Sequence, residues 1–300
     1  MTDTLDTARP GAHPHYLASL RDSFSRILPM AWPVLIGQLA VLGFSTVDTI
    51  LVARFAANDL AALSIGMAVY ITVFIGFMGM VLAISPVAGQ LFGAGKLQAA
   101  GLQVHQAIWL ALALALVGST LLLSPGPFLA LARTGPDVTG KVRGYLTALA
   151  FSLPASLLFT VYRGFNTAVS RPKAVMAIQV IGLALKVPLS ALFIYGWTLP
   201  LPLGMEPWRV APMGVVGCGI ATALVMWSQT LIAWVVLHRD PFYAPFGLHD
   251  KGFRRPNRTA ILAQLRLGVP MGAAIMIEVT GFSSMAFLIS RQSGEAVAGH

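Results

Sequence analysis

Apolar residues gather along this chain into seven long runs, and short segments between the runs hold nearly all of the charge. The runs cover residues 27–53, 60–87, 101–123, 144–165, 173–196, 213–237 and 263–290. Each matches or exceeds the about 20 residues that a helix needs to cross about 30 Å of hydrocarbon. Lipid offers no hydrogen bond to an open backbone group, so every run predicts an α-helix. Pro33, Pro86, Pro154, Pro188 and Pro270 fall inside runs and predict kinks, because each removes a backbone donor.

The expected fold is therefore all-α, a polytopic membrane protein. Residues 1–26 are a polar N-terminal segment, 27–237 a six-helix bundle, 238–262 a basic linker and 263–300 the start of a second bundle with the seventh helix. A short echo supports the division: Gly43-Phe44-Ser45 lies midway along the first run and Gly281-Phe282-Ser283 within the seventh. Parallel repeats of this kind are a known transporter plan. The closing residues, Ala296 to His300, read as the interior of a longer protein. Residues 1–26 have no hydrophobic region of a cleavable signal peptide, so the first span is expected to act as its own signal.

Composition agrees. Of the 300 residues, 56% are hydrophobic and 10% charged, where a soluble domain has about 25% charged. The net charge of +9 does not point to nucleic acid, because the Lys and Arg lie in short loops between spans and not on one face. Thirteen of them (Arg9, Arg21, Arg26, Lys96, Arg163, Arg171, Lys173, Arg239, Lys251, Arg254, Arg255, Arg258 and Arg266) fall on one side. Six (Arg54, Arg133, Lys141, Arg143, Arg209 and Arg291) fall on the other. The positive-inside rule then places the N-terminus and the linker in the cytoplasm. With Cys218 the single cysteine, an intrachain disulfide and a cysteine metal site are excluded.

Three charged residues lie inside spans: Asp48, Lys186 and Glu278. A charge at the bilayer centre costs at least about 2.5–3.5 kcal/mol on insertion scales, so such residues mark a functional site or a buried pair. Glu278 sits among Ala274, Ile275, Met276, Ile277 and Val279, where a carboxyl group can exchange a proton or hold a cation. Asp48 is flanked by Ser45, Thr46 and Thr49, whose hydroxyls are expected to share its site; the competing reading is an acid at the water boundary near Arg54. Lys186 is ten residues or more from either end of its span, which makes snorkelling difficult. It is expected to face Asp48 and hold it as a carboxylate until substrate or a proton breaks the pair.

Other motifs carry less. Gly93-Ala94-Gly95-Lys96 resembles a phosphate loop, but Gln90 replaces its first Gly and Leu97 its Ser or Thr. Asn257-Arg258-Thr259 is a glycosylation pattern on the expected cytoplasmic side. His105 and His238 are expected at interfaces, and Trp109, Trp227 and Trp234 as lipid-facing or belt aromatics. No nucleophile, metal cluster or acid pair suggests an enzyme.

These features together resemble the multidrug and toxic compound extrusion family in its NorM-like branch. The resemblance runs from about Pro29 to the end of the chain. It is carried by Pro33 to Leu39 with Val47-Asp48-Thr49, by Tyr162 to Asn166 with Ser170-Arg171-Pro172-Lys173, and by Val187-Pro188-Leu189 with Phe193 to Gly196. Gly214 to Thr222, and Pro270 with Ile277 to Thr280, complete it. It implies twelve helices in two six-helix bundles around a cleft, in a bacterial inner membrane. It implies a monomer that exports small organic cations in exchange for sodium ions or protons and uses no other cofactor. Asp48 and Glu278 match the family's coupling acids, with sodium possible at Glu278. Gln38 and Thr222 match polar positions facing the N-terminal cavity. Lys186 and Ser190 stand where many members carry amides or an acid, a departure that argues against sodium in the first bundle. A lipid-linked precursor flippase of the same superfamily, or an inactive remnant, are the alternatives.

Overall fold

The computed structural model describes residues 14–290 except 127, 130–134, 200–207, 249–251 and 253. The tail 291–300, with Arg291, therefore lies outside the described residues, as does Arg133. The helices are α1 (Pro14–Phe55), α2 (Ala57–Val81), α3 (Ile84–Gly93), α4 (Leu97–Leu123), α5 (Pro136–Ala168), α6 (Pro172–Tyr195), α7 (Gly214–Arg239) and α8 (Arg258–Ser290). Seven spans among the described residues are long and apolar enough to cross a membrane, α2 and α3 together making the second. The chain is a multi-pass helical membrane protein, as its hydropathy requires.

Span ends differ from expectation by a few residues. The prolines fall into two groups. Pro33, Pro154, Pro188 and Pro270 lie within unbroken helices, whereas Pro86 coincides with a break at Leu82–Ala83. Pro86 has no N–H to give the Leu82 carbonyl, and Ser85 N–H takes that carbonyl instead at 2.9 Å, a tighter turn that separates α2 from α3.

The bundle forms around α5. In its most apolar window 67% of residues are buried, against at most 39% in any other span. Helices α2, α4 and α7 pack against α5, and α6 closes the bundle between α1 and α7. Helix α8 lies along α2 through glycines. A Cβ on Gly79 would fall on the Gly272 backbone, and one on Gly268 on that of Met80. Small residues let membrane helices approach this closely.

Two connections depart from the sequence reading. Strands β1 (Trp197–Leu199) and β2 (Trp208–Val210) pair antiparallel between the fifth and sixth spans, Thr198 opposite Arg209. The flanking helices reach into the 238–262 segment read as a linker. Helix α7 continues to Arg239, a 3-10 turn occupies Pro241–Phe246, and α8 starts at Arg258. Asp240 Oδ1 accepts the Phe242 N–H at 3.0 Å, and the Arg171 guanidinium pairs with Asp240 Oδ2 at 2.5 Å and lies 4.2 Å over the Phe242 ring. Asn257 caps α8, its Oδ1 accepting the Thr259 N–H at 3.0 Å, so the glycosylation pattern is a helix start. Gln106 and Trp109 on α4 hold the carbonyls of Arg255 and Arg254 at 3.1 and 2.9 Å. Trp109 is thus an anchor for the linker and not simply a belt residue, and the His105 side chain is buried within the protein.

The Phe242 N–H and the Arg171 charge hold the Asp240 carboxyl below its ordinary value. A group depressed in the folded state contributes stability that is full above its unfolded value and lost as pH falls through the folded one. Acidification below about pH 4 should therefore lower the protection of the Phe242 and Tyr243 amides, taken relative to their intrinsic exchange at each pH, while α5 stays protected. The effect will be small, because the pair is about one-third exposed. Protection at the turn that does not respond to acid would contradict it.

Candidate functional site

Helix α6 turns one polar stripe into the bundle. Gln179, Gly182, Lys186 and Ser190 are all buried, and their spacing of three, four and four residues puts them on one face. Gly182 leaves room for the Gln229 amide of α7, which donates to the Ile178 carbonyl at 3.3 Å.

Lys186 is fully buried, with side-chain exposure of 0%, and Asp48 on α1 is nearly so at 7%. Lys186 Nζ lies 2.8 Å from Asp48 Oδ1 and also donates to the Thr222 hydroxyl of α7. Thr222 in turn donates to the Cys218 carbonyl one turn earlier at 2.9 Å. Ser190 Oγ is 3.4 Å from Asp48 Oδ1, a long hydrogen bond. The expected pairing of Lys186 with Asp48 is present in the geometry. The water-boundary reading of Asp48 is not supported, since the side chain is buried.

The hydroxyls around Asp48 in sequence do not serve it. Ser45 and Thr46 donate to the Leu42 carbonyl at 3.0 Å, and Thr49 to the Ser45 carbonyl at 2.9 Å. Hydroxyl side chains in membrane helices readily bond back along their own helix. The polar partners of Asp48 come instead from α6, and Lys186 has a second partner on α7.

Four of the six singled-out residues thus meet at one place: Asp48, Lys186, Ser190 and Thr222. Gln38 does not join them. It stands ten residues before Asp48 on α1, about 15 Å along the axis. There it lines a separate cavity of about 240 Å³ with Arg163 and Gln179. Glu278 is exposed on α8, the helix that packs on α2, and is not brought to the Asp48 site.

One buried acid was not foreseen. Asp59, 3% exposed, stands in the first turn of α2. Its Oδ2 is 2.7 Å from Lys141 Nζ on α5, and its Oδ1 accepts the Val215 N–H at 2.9 Å. The carboxylate thereby binds the start of α7, where anions suit the helix N-terminus. Its place at the edge of a span made it look like a loop charge. The likeness of its surroundings to a site ends there, because all its partners are structural.

The MatE family profile matches residues 33–192, which is the first five spans including both Asp48 and Lys186. The chain belongs to the MatE family. A probable multidrug resistance protein NorM of Aromatoleum aromaticum is 39% identical over 275 residues, covering 92% of this chain and 57% of that protein. The multidrug resistance protein NorM of Aliivibrio fischeri is 34% identical over the same shares of the two chains. The MatE chain described here thus spans a little over half the length of these curated relatives. Among solved structures, the Vibrio cholerae MATE transporter VcmN in the bent form superposes with a TM-score of 0.75 at 20% identity, covering 94% of this chain and 60% of that one. A MOP superfamily transporter from Pyrococcus furiosus superposes at 0.72 with 22% identity, covering 91% and 57%. These likenesses show that the MatE bundle is shared at the level of fold.

Proposed function

We propose that this chain is the N-terminal bundle and seventh helix of a multidrug exporter that moves small organic cations out across a bacterial inner membrane, in exchange for protons or sodium ions. The supporting observation is the dry ion pair of Lys186 and Asp48 in the middle of the bundle. Intramembrane charges of this kind mark ion and substrate pathways. In the resting pair Lys186 Nζ fills the position a coupling cation would take beside Asp48. A proton is therefore the coupling ion at Asp48: once the carboxyl is neutral, Lys186 is free to turn wholly to Thr222, and α1 and α6 lose their electrostatic tie. Sodium is left to Glu278. The seventh helix opens the second bundle, and Gln38 belongs to the wall of the cleft near the basic end. The N-terminus and the linker face the cytoplasm, by the excess of basic residues there.

The flippase reading requires a cationic cavity. Lys186, the cation deepest in a span, is neutralised by Asp48, and Arg163 alone borders the smaller Gln38 cavity, which favours the exporter.

Ethidium efflux in cells stripped of their own exporters tests the proposal, using the full-length product that contains this chain. Asp48→Asn and Glu278→Gln should each reduce efflux to the level of empty cells while the protein still reaches the membrane. Undiminished efflux in both variants would rule out the two carboxyl groups as coupling sites. No efflux even from the unaltered product would favour the flippase.

A further inference from the structure

A sizeable cavity lies away from Asp48. Helices α4, α5 and α7 enclose about 550 Å³ near the end of the bundle that carries Arg239, Arg254, Arg255 and Arg258. That is within the range of about 300–1,000 Å³ typical of small-molecule sites. Its walls are apolar, with Val104 and Ile108 from α4, Val161 and Phe165 from α5, and Ala233 and Leu237 from α7. Trp234 forms an outer lip, 56% exposed, with the His238 ring against it at 4.3 Å.

One polar group within these walls lacks a close hydrogen-bond partner among the described residues. Tyr162 is 3% exposed, and its hydroxyl makes no hydrogen bond among the described residues. The neighbouring Tyr243 hydroxyl is committed to Asn166 at 2.5 Å, and the Thr230 hydroxyl donates to the Ala155 carbonyl at 2.8 Å. A buried hydroxyl left without a partner is unfavourable, and a ligand oxygen would satisfy it.

The cavity adjoins a second one. His105 lines both, and the second, of about 290 Å³, is bordered by Gln98 and Arg254. An apolar chamber therefore lies beside a smaller polar one bordered by an exposed arginine. The nearby acid, Asp240, is already paired with Arg171, so the field at this mouth is positive.

We propose that this compound cavity binds one anionic phospholipid from the leaflet at the basic end. An acyl chain enters between α4 and α7, which do not pack on each other, an ester oxygen accepts from the Tyr162 hydroxyl, and the phosphate meets Arg254. The carbonyl of Arg254 is fixed by Trp109, so a lipid seated there also ties α4 to the linker before α8. The site shares no residue with the Asp48 cluster.

Native mass spectrometry of the purified protein tests this, with phosphatidylglycerol and phosphatidylcholine of matched chains as the two probes. Phosphatidylglycerol should be retained at least about fivefold better than phosphatidylcholine, and Arg254→Gln should erase that preference. Tyr162→Phe, which keeps the ring, should weaken retention of both lipids about fivefold, the worth of one hydrogen bond. Ala233→Trp fills the chamber and should abolish retention. Equal retention of the two lipids by the unaltered protein overturns the proposal. So does undiminished retention by Ala233→Trp, and, should that variant fail to fold, by Tyr162→Phe.

Discussion

Lys186→Met is expected to destabilise the bundle by about 3–5 kcal/mol, and Asp48→Asn by a similar amount, whereas the double variant recovers most of the loss. Two charges in a site this dry have already lost their water. Removing one leaves the other buried without compensation, which is worse than removing both. Lys186 is 0% and Asp48 7% exposed at the side chain, so neither can turn to solvent without moving a helix. Met keeps most of the length and apolar volume of Lys, and Asn keeps the shape of Asp, so packing losses stay small. Thermal unfolding in detergent, read through a double-mutant cycle, gives the coupling energy directly. Additive single effects would mean that the pair is not formed in the membrane. Efflux by the full-length product separates stability from function. The double variant should be nearly as stable as the native protein and still inactive, because its site no longer holds a group that can take up a proton. A stable and fully active double variant would leave the pair as a structural device.

Much of this was legible in the sequence because membrane helices announce themselves through length and missing charge. The all-α membrane class and all seven spans were so read. The pairing of Lys186 with Asp48 also followed, since two opposite charges marooned in apolar runs have few other partners. The remaining details depend on contacts between distant segments, which hydropathy does not encode. Asp59 looked like a loop charge because it begins a span, yet it is buried by Lys141 and the start of α7. The hydroxyls of Ser45, Thr46 and Thr49 looked like ligands of Asp48, but their own helix offers nearer carbonyls. Ser190 and Thr222 do face the pair. The signal that could have exposed the whole stripe is the spacing of Gln179, Gly182, Lys186 and Ser190 on α6, one polar or small residue per turn in an otherwise apolar helix. The linker is irregular where its prolines and glycines suggested it, but Asp240 and Asn257 are capping residues that fix where the 3-10 turn and α8 begin, which composition did not show.

Gly79→Leu is expected to separate α8 from α2 while leaving the rest of the bundle folded. No hydrophobic force joins two apolar helices in lipid, so close backbone packing is what holds them together. Here that packing is very close: any Cβ on Gly79 would collide with the Gly272 backbone, which cannot turn aside as a flexible side chain could. Four more carbons would force the helices several ångströms apart, where overpacking alone costs about 1–3 kcal/mol. Because α5, α6 and α7 pack among themselves without α8, the damage should stay local. A cysteine pair at Gly76 and Met276, joined by a short bifunctional reagent, reports it, since a Cβ at Gly76 would lie 3.1 Å from the Met276 sulfur and the two positions are therefore neighbours. The pair should cross-link rapidly in the otherwise native protein and slowly or not at all once Gly79→Leu is added. Cys218 is buried within the bundle and should not compete. Gly79→Ala should fall between the two, one carbon being enough to strike the backbone but not to exclude the helix. Cross-linking that persists in Gly79→Leu would mean that α8 is held by contacts other than the glycine seam. In that case Glu278, carried on the same helix, would be positioned independently of α2.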